Sequence, residues 1–150
     1  ASAGTQLWLD REGRLTLDWL TARLLTIARE GVRLSLVTTE RAEVRAWMQR
    51  AEAPHAASLP AKLDALPRKG CHLYDIDAHP VSLECFMLAN GDVMHLFTIP
   101  TSHLRDAPGR NAPPQVAAHE GFNVATWARD GKALIFLSSE PIETIRALLS

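Results

Sequence analysis

The chain has 150 residues and a formal net charge of −1, with 47% hydrophobic and 22% charged residues. This length and balance are typical of one globular domain that buries a core without disulfide or metal staples, so we expect a single domain over residues 1–150. The near-zero charge argues against nucleic acid or an acidic membrane surface as a partner. Apolar runs such as residues 133–137 are strand-sized, well short of the roughly 18 residues that span a bilayer.

A helix and a strand are predicted first. A short apolar start at residues 7–9 precedes Thr16, whose hydroxyl suits the N-cap of a helix with Asp18 in its first turn. Gly31 suits the C-terminal end of that helix. Its apolar face recurs at helical spacing in Leu17, Leu20, Leu24, Ile27 and Ala28. Alternation of apolar and polar residues over 32–37 then predicts a half-buried strand.

A second helix is predicted to open at Thr38-Thr39 and to end before Pro54. Val44, Trp47, Met48 and Ala51 line one side of it. A Met and aromatic stripe at this spacing indicates a core-packing face and not a cofactor site. The Ala- and Pro-rich residues 54–69 predict an ordered connection with at most one short helical turn.

The apolar period changes from helical to two at Gly70. Strands are therefore predicted at residues 71–76, 81–88 and 93–99. The turn between the last two contains Asn90-Gly91, a strong hairpin signal because both residue types tolerate positive φ.

The C-terminal third begins with a long predicted loop, residues 101–121, whose length is typical of a mobile or functional segment. Residues 122–128 and 132–138 predict a hairpin around Asp130-Gly131, and Pro141 suits the first position of a last helix. The predicted fold class is α+β. We expect an antiparallel sheet of five to six strands built from hairpins, with two N-terminal helices and one C-terminal helix packed on it.

Two cysteines are the most informative local feature. If the first hairpin turns at residues 77–79, Cys71 lies opposite Cys85 and Leu73 lies opposite Leu83. Opposed strand residues have Cα atoms about 4.5–5.5 Å apart, which a disulfide tolerates. Cys71 and Cys85 are therefore predicted to form a cystine or a pair of packed thiols, with a redox pair as the alternative.

Metal ligation has less support in the pattern. Met87 and Met94 are expected to approach Cys85 across the second hairpin and, with His95, are the candidate ligands for a soft ion such as copper(I). Core packing explains the same residues, so neither a metal nor another cofactor is predicted. On the opposite, wetter face we expect His72 to pair with Glu84 as a surface contact.

Catalytic signatures do not occur in the sequence. It contains no Gly-x-Ser-x-Gly elbow and no glycine-rich phosphate loop. A Cys–His pair could be assembled from Cys85 with His95 or His119, but nothing in the sequence requires it. The sequence therefore predicts a protein that is not an enzyme.

Several short motifs in a fixed order resemble one bacterial family. They are Leu66-Pro67-Arg68-Lys69-Gly70-Cys71, His79-Pro80-Val81-Ser82-Leu83-Glu84-Cys85-Phe86, Gly91-Asp92-Val93-Met94-His95-Leu96-Phe97, Ala125-Thr126-Trp127 and Asp130-Gly131-Lys132, preceded by Glu43-Val44-Arg45-Ala46-Trp47. This order is similar to that in the extracytoplasmic part of small membrane-anchored anti-sigma factors, also called transmembrane transcriptional regulators. The resemblance covers most of the chain.

The resemblance implies a non-enzymatic sensor or interaction domain on the periplasmic face of the inner membrane. It implies a protein partner or self-association, an N-terminal membrane anchor, and a sigma factor bound only through a cytoplasmic segment. Neither the anchor nor that segment is found in this sequence. An extracytoplasmic position would also favour oxidation of Cys71 and Cys85. The alternative function is a small redox- or metal-responsive binding protein that uses Cys71 and Cys85.

Overall fold

The computed structural model describes residues 13–150, and the apolar start at 7–9 lies outside them. The described chain is α+β, with one open antiparallel sheet of seven strands and four α-helices. The predicted class is therefore confirmed, whereas the predicted five to six strands are too few.

The helices are α1 (Leu17–Glu30), α2 (Arg41–Arg50), α3 (Ala61–Asp64) and α4 (Ile142–Leu149). The strands are β1 (Leu36–Val37), β2 (Arg68–Ile76), β3 (His79–Met87), β4 (Val93–Pro100), β5 (Gln115–His119), β6 (Phe122–Arg129) and β7 (Lys132–Ser138). The sheet order is β1-β2-β3-β4-β7-β6-β5, so β1 and β5 are its edges.

Helix α1 covers one face of the sheet, which we call the α1 face. Its N-cap is Thr16 as predicted, because the Thr16 hydroxyl accepts a hydrogen bond from the amide of Trp19 at 3.3 Å. Gly31 ends the helix at φ 107°, which only glycine adopts readily. The residues packed between α1 and the sheet include Leu20, Leu24, Leu25, Leu83, Phe97, Ile99, Ile135 and Leu137.

The other three helices cover the opposite face, which we call the three-helix face. Helices α3 and α4 contribute Leu63 and Ile145, which pack with a cluster that includes Phe86, Leu96, Leu134 and Phe136. Helix α2 contributes Val44 and Met48 to a smaller cluster at the β2 end of the sheet. Because both faces are covered, the central strands β4 and β7 are buried almost throughout.

Two strands differ from the sequence prediction. Strand β5 lies inside the predicted loop 101–121, where only Val116 packs against the core and the apolar signal is therefore weak. The predicted strand at 32–37 shrinks to Leu36–Val37. Val32 and Leu34 pack against the α1-face core without pairing in the sheet, so burial alone accounts for the alternation.

The β2–β3 hairpin has a different register from the predicted one. Its turn contains only Asp77 and Ala78, both at positive φ (53° and 67°), and Ile76 pairs with His79. Such a two-residue turn is the commonest hairpin connection. The predicted three-residue turn was wrong by one residue, and a slip of one residue moves every side chain of a strand to the other face.

Candidate functional site

Cys71 and Cys85 do not face each other. Cys71 pairs with Glu84 across the hairpin, and Cys85 pairs with Gly70. Cys71 therefore lies on the three-helix face and Cys85 on the α1 face, both fully buried and both as free thiols. The predicted opposition was wrong because the hairpin turn is shorter than predicted, and no cystine joins the two residues.

Cys71 packs beneath α2 as a small apolar side chain. It lies in the cluster of Val44, Met48 and Ala53. Burial raises the pKa of the Cys71 thiol to about 11, and the negative charge of Glu84 adds to this shift. The thiol is therefore protonated at neutral pH, as expected of a structural cysteine.

Cys85 instead contacts a histidine. His95 lies directly opposite it on β4, and the Cys85 Sγ lies 3.3 Å from the His95 Nδ1. The other histidine considered from the sequence, His119, is on the edge strand β5, four strands away from β3. Register thus selects one Cys–His pair from the two that the sequence allowed.

Burial keeps both members of this pair uncharged. It raises the pKa of Cys85 to about 12, and it lowers the pKa of His95 to about 4 with help from the positive charge of Lys69. A nucleophilic cysteine needs the opposite arrangement, a thiolate stabilised by an imidazolium. The pair is therefore a hydrogen bond between a thiol and a neutral imidazole at neutral pH.

The four candidate ligands for a soft metal ion do not all lie on one face of the sheet. Cys85, His95 and Met87 share the α1 face, whereas Met94 pairs with Phe86 and lies on the three-helix face. The expected approach of Met94 to Cys85 was wrong because the β3–β4 register places Met94 opposite Phe86 and His95 opposite Cys85. Within residues 13–150, no group of three or more His, Cys, Asp or Glu side chains is arranged to hold a metal ion.

His72 and Glu84 do not form the predicted pair either. His72 lies opposite Leu83, and its Nδ1 is 2.6 Å from the Ser35 hydroxyl oxygen. Its ring meets that of Tyr74 edge-on at 4.5 Å. Glu84 instead points to the three-helix face and binds an arginine there.

That arginine, Arg68, is the main feature that sequence reasoning missed. Its side chain is 1% exposed. Its Nε donates to Glu84 at 2.6 Å and its Nη2 to Asp64 at 2.6 Å. Its Nη1 donates to the carbonyl oxygens of Asp64 and Leu66, each at 2.8 Å, and the guanidinium lies 4.5 Å from the centre of the Phe86 ring. Four of its five N–H groups are thus satisfied at the point where α3 meets β2.

Charge neutralisation explains how this cation is tolerated inside the protein. Burial acts to raise the pKa of Asp64, but the hydrogen bonds and charges of Arg68 and Arg41 outweigh it, so this pKa lies below its ordinary value. Asp64 and Glu84 remain partly exposed, at 19% and 14%. The network therefore holds α2, α3, β2 and β3 together as a structural centre.

A small cavity of about 20 Å³ adjoins the network, room for one water molecule. Its polar lining comes from Arg45, His55, Arg68, Ser82, Glu84 and Thr98. Beside it, the Ser82 hydroxyl donates to the carbonyl oxygen of Pro54 and ties the connection after α2 to the sheet. The cavity is too small, as it stands, for an organic ligand.

None of the helices in residues 13–150 combines the length and apolarity that crossing a membrane requires. Comparison with protein-family models, curated proteins and solved structures finds no match to this chain.

Proposed function

We propose that this chain is a non-enzymatic sensor and interaction domain of a membrane-anchored transcriptional regulator of the anti-sigma factor type. In this proposal the domain lies on the periplasmic face of the inner membrane and binds a protein partner or a second copy of itself. Contact with a sigma factor would belong to a separate cytoplasmic segment. The family resemblance is the main basis of this proposal.

The positions of the resembling motifs support it. The motifs that begin at Leu66, His79 and Gly91 run through β2, β3 and β4, and those at Ala125 and Asp130 lie in and between β6 and β7. These five strands are adjacent in the sheet. The resemblance thus follows one continuous structural unit and is not scattered over unrelated surface loops.

The observation that most favours a non-enzymatic role is the state of the Cys85–His95 pair. With pKa values of about 12 and about 4, thiol and imidazole are both neutral at physiological pH. The pair also lies within the α1-face core, with Cys85 fully buried. A group that must attack or exchange with a substrate needs access and a lowered thiol pKa, and Cys85 has neither.

Edge strand β5 is the surface on which we expect a partner. His119 and Phe122 close a two-residue turn, so the alternate residues Val116 and Ala118 direct their backbone N–H and C=O groups away from β6. Within residues 13–150, no strand pairs with this outer side of β5. An added strand from a partner would satisfy those groups.

A redox- or metal-responsive protein stays the alternative. It would have to use Cys85 with His95, since Cys71 lies on the other face of the sheet.

Cysteine labelling of the full-length gene product in intact cells tests the proposed location. Both native cysteines are fully buried, whereas Ala42 is exposed on α2, away from β5. We expect Ala42→Cys to react with a membrane-impermeant maleimide once the outer membrane alone is permeabilised. The native protein, treated in the same way, should remain unlabelled. Labelling of Ala42→Cys only after lysis of the inner membrane would contradict a periplasmic domain.

A further inference from the structure

The start of the described chain is hydrogen-bonded to the segment that follows β4. The amide of Leu15 donates to the carbonyl oxygen of His103 at 2.9 Å, and the amide of Arg105 donates to that of Leu15 at 2.9 Å. The amide of Leu17 donates to the Asp106 carboxylate at 2.8 Å. These bonds fix residues 13–17, the entry into α1, against the segment that follows β4.

Two histidines add side-chain contacts to these backbone bonds. The Nδ1 of His79, at the start of β3, lies 2.9 Å from the Nδ1 of His103, and the two rings meet edge to face with centres 4.9 Å apart. On its other side the Nε2 of His79 contacts the carbonyl oxygen of Gly13. His79 therefore bridges His103 and the first described residue of the entering segment.

The hydrogen-bond partners limit how many protons the pair can hold. The Gly13 carbonyl oxygen can only accept, so the Nε2 of His79 carries a hydrogen. Between the two Nδ1 atoms there is room for one hydrogen, which either ring can supply. The pair therefore tolerates a net charge of zero or one. A second positive charge would place two N–H groups face to face and break the contact.

We propose that His79 and His103 form a pH-sensitive latch that releases residues 13–17 from the body of the domain when both rings become protonated. Burial and the charge of His79 lower the pKa of His103 from its ordinary value of 6.5, which agrees with a disfavoured second proton. Because the pKa of His103 is lower in the folded state, the latch stabilises the folded chain fully above pH 6.5. This stabilisation is lost as the pH falls below 6.5. The charged or titratable side chains that line the open groove beside His103 are Glu52, His55, Asp130 and Lys132.

The latch itself follows from the contacts of residues 13–17 and does not need a membrane. Its use as an acid signal to an N-terminal anchor rests on the proposed function. Hydrogen exchange on the chain in solution tests the latch alone, so a failed topology experiment and a failed latch experiment are distinguishable.

Amide hydrogen exchange of Leu15, corrected for its intrinsic rate at each pH, measures the latch. In buffer with a metal chelator, we expect its protection to fall about tenfold or more between about pH 7.5 and about pH 5. Protection of the Phe136 amide in β7 should change little, which separates local release from global unfolding.

His103→Asn should abolish this pH dependence, because the backbone bond from Leu15 to residue 103 remains while the titrating ring is gone. His119→Asn, at an exposed histidine on β5, is the matched control and should behave as the native chain. Unchanged Leu15 protection across this pH range in the native chain would overturn the latch. An equal loss of protection in His103→Asn would overturn it as well.

A second readout covers the case in which His103→Asn weakens the attachment at every pH. Nuclear magnetic resonance titration of the His103 ring should show a two-step curve in the native chain and a single step in His79→Asn. Identical single-step curves in both would show that the rings do not share a proton and would overturn the proposal.

Discussion

Replacing Arg68 with alanine is expected to lower the free energy of unfolding by about 3–5 kcal/mol, the usual cost of removing one partner of a buried ion pair. The change leaves Glu84 and Asp64 without their shared cation and two carbonyl oxygens without a donor. It also removes the contact between the guanidinium and the Phe86 ring. Urea denaturation followed by circular dichroism measures the effect.

Two variants control the Arg68 experiment. Lys69→Ala, at the exposed neighbouring position, should change stability by no more than about 0.5 kcal/mol. Arg68→Lys should still lose much of the stability, because an ammonium group cannot make the forked contacts of a guanidinium. If Arg68→Ala cost less than about 1 kcal/mol, the network would be no more than a surface ion pair and its role as a structural centre would be wrong.

Replacing Gly70 with alanine is the second change with a large expected effect. A Cβ atom at this position would lie 2.2 Å from the backbone oxygen of Leu36, and Gly70 has φ 157°. Edge strand β1 would therefore have to move off β2. Adding an overpacking cost of about 1–3 kcal/mol to backbone strain of about 1–3 kcal/mol, we expect the free energy of unfolding to fall by about 2–6 kcal/mol in total.

Gly131→Ala is the matched control for Gly70. Gly131 has φ 75°, but nothing lies within 4 Å of a Cβ added there. Gly131→Ala should therefore lower the free energy of unfolding only by the strain of a left-handed alanine, about 1–2 kcal/mol. Thermal or urea unfolding of both variants compares them. Equal losses would mean that β1 does not approach β2 at Gly70 as closely as described.

Much of the fold could be predicted because local signals and burial agree. The Thr16 cap, the Gly31 helix end and the Asp130-Gly131 turn each have a short-range cause, and each occurs where it was predicted. Strand β5 could not be found in this way, because three of its five residues are Ala117, Ala118 and His119, all exposed. Pairing with β6 stabilises this strand, and a single sequence carries little trace of that pairing.

The candidate site was harder to predict because it depends on register. Periodicity found both β2 and β3, but it could not tell a two-residue turn at Asp77-Ala78 from a three-residue turn. That one residue decides whether Cys71 meets Cys85 or Glu84. Arg68 was missed because arginine is usually exposed, and its partners Asp64 and Glu84 come from two different elements.

Counting the free thiols after oxidation tests most directly the β2–β3 register and the separation of Cys71 from Cys85. The folded chain is treated with a small disulfide oxidant, then denatured without reductant, and its free thiols are counted by reagent and by mass. We predict two free thiols that react only after denaturation, since Cys71 and Cys85 are buried on opposite faces. Rapid reaction of Cys85 in the folded chain would favour the redox alternative. No free thiols, with a mass lower by two hydrogens, would contradict the register and favour the cystine, one of the two forms that the sequence predicts for Cys71 and Cys85.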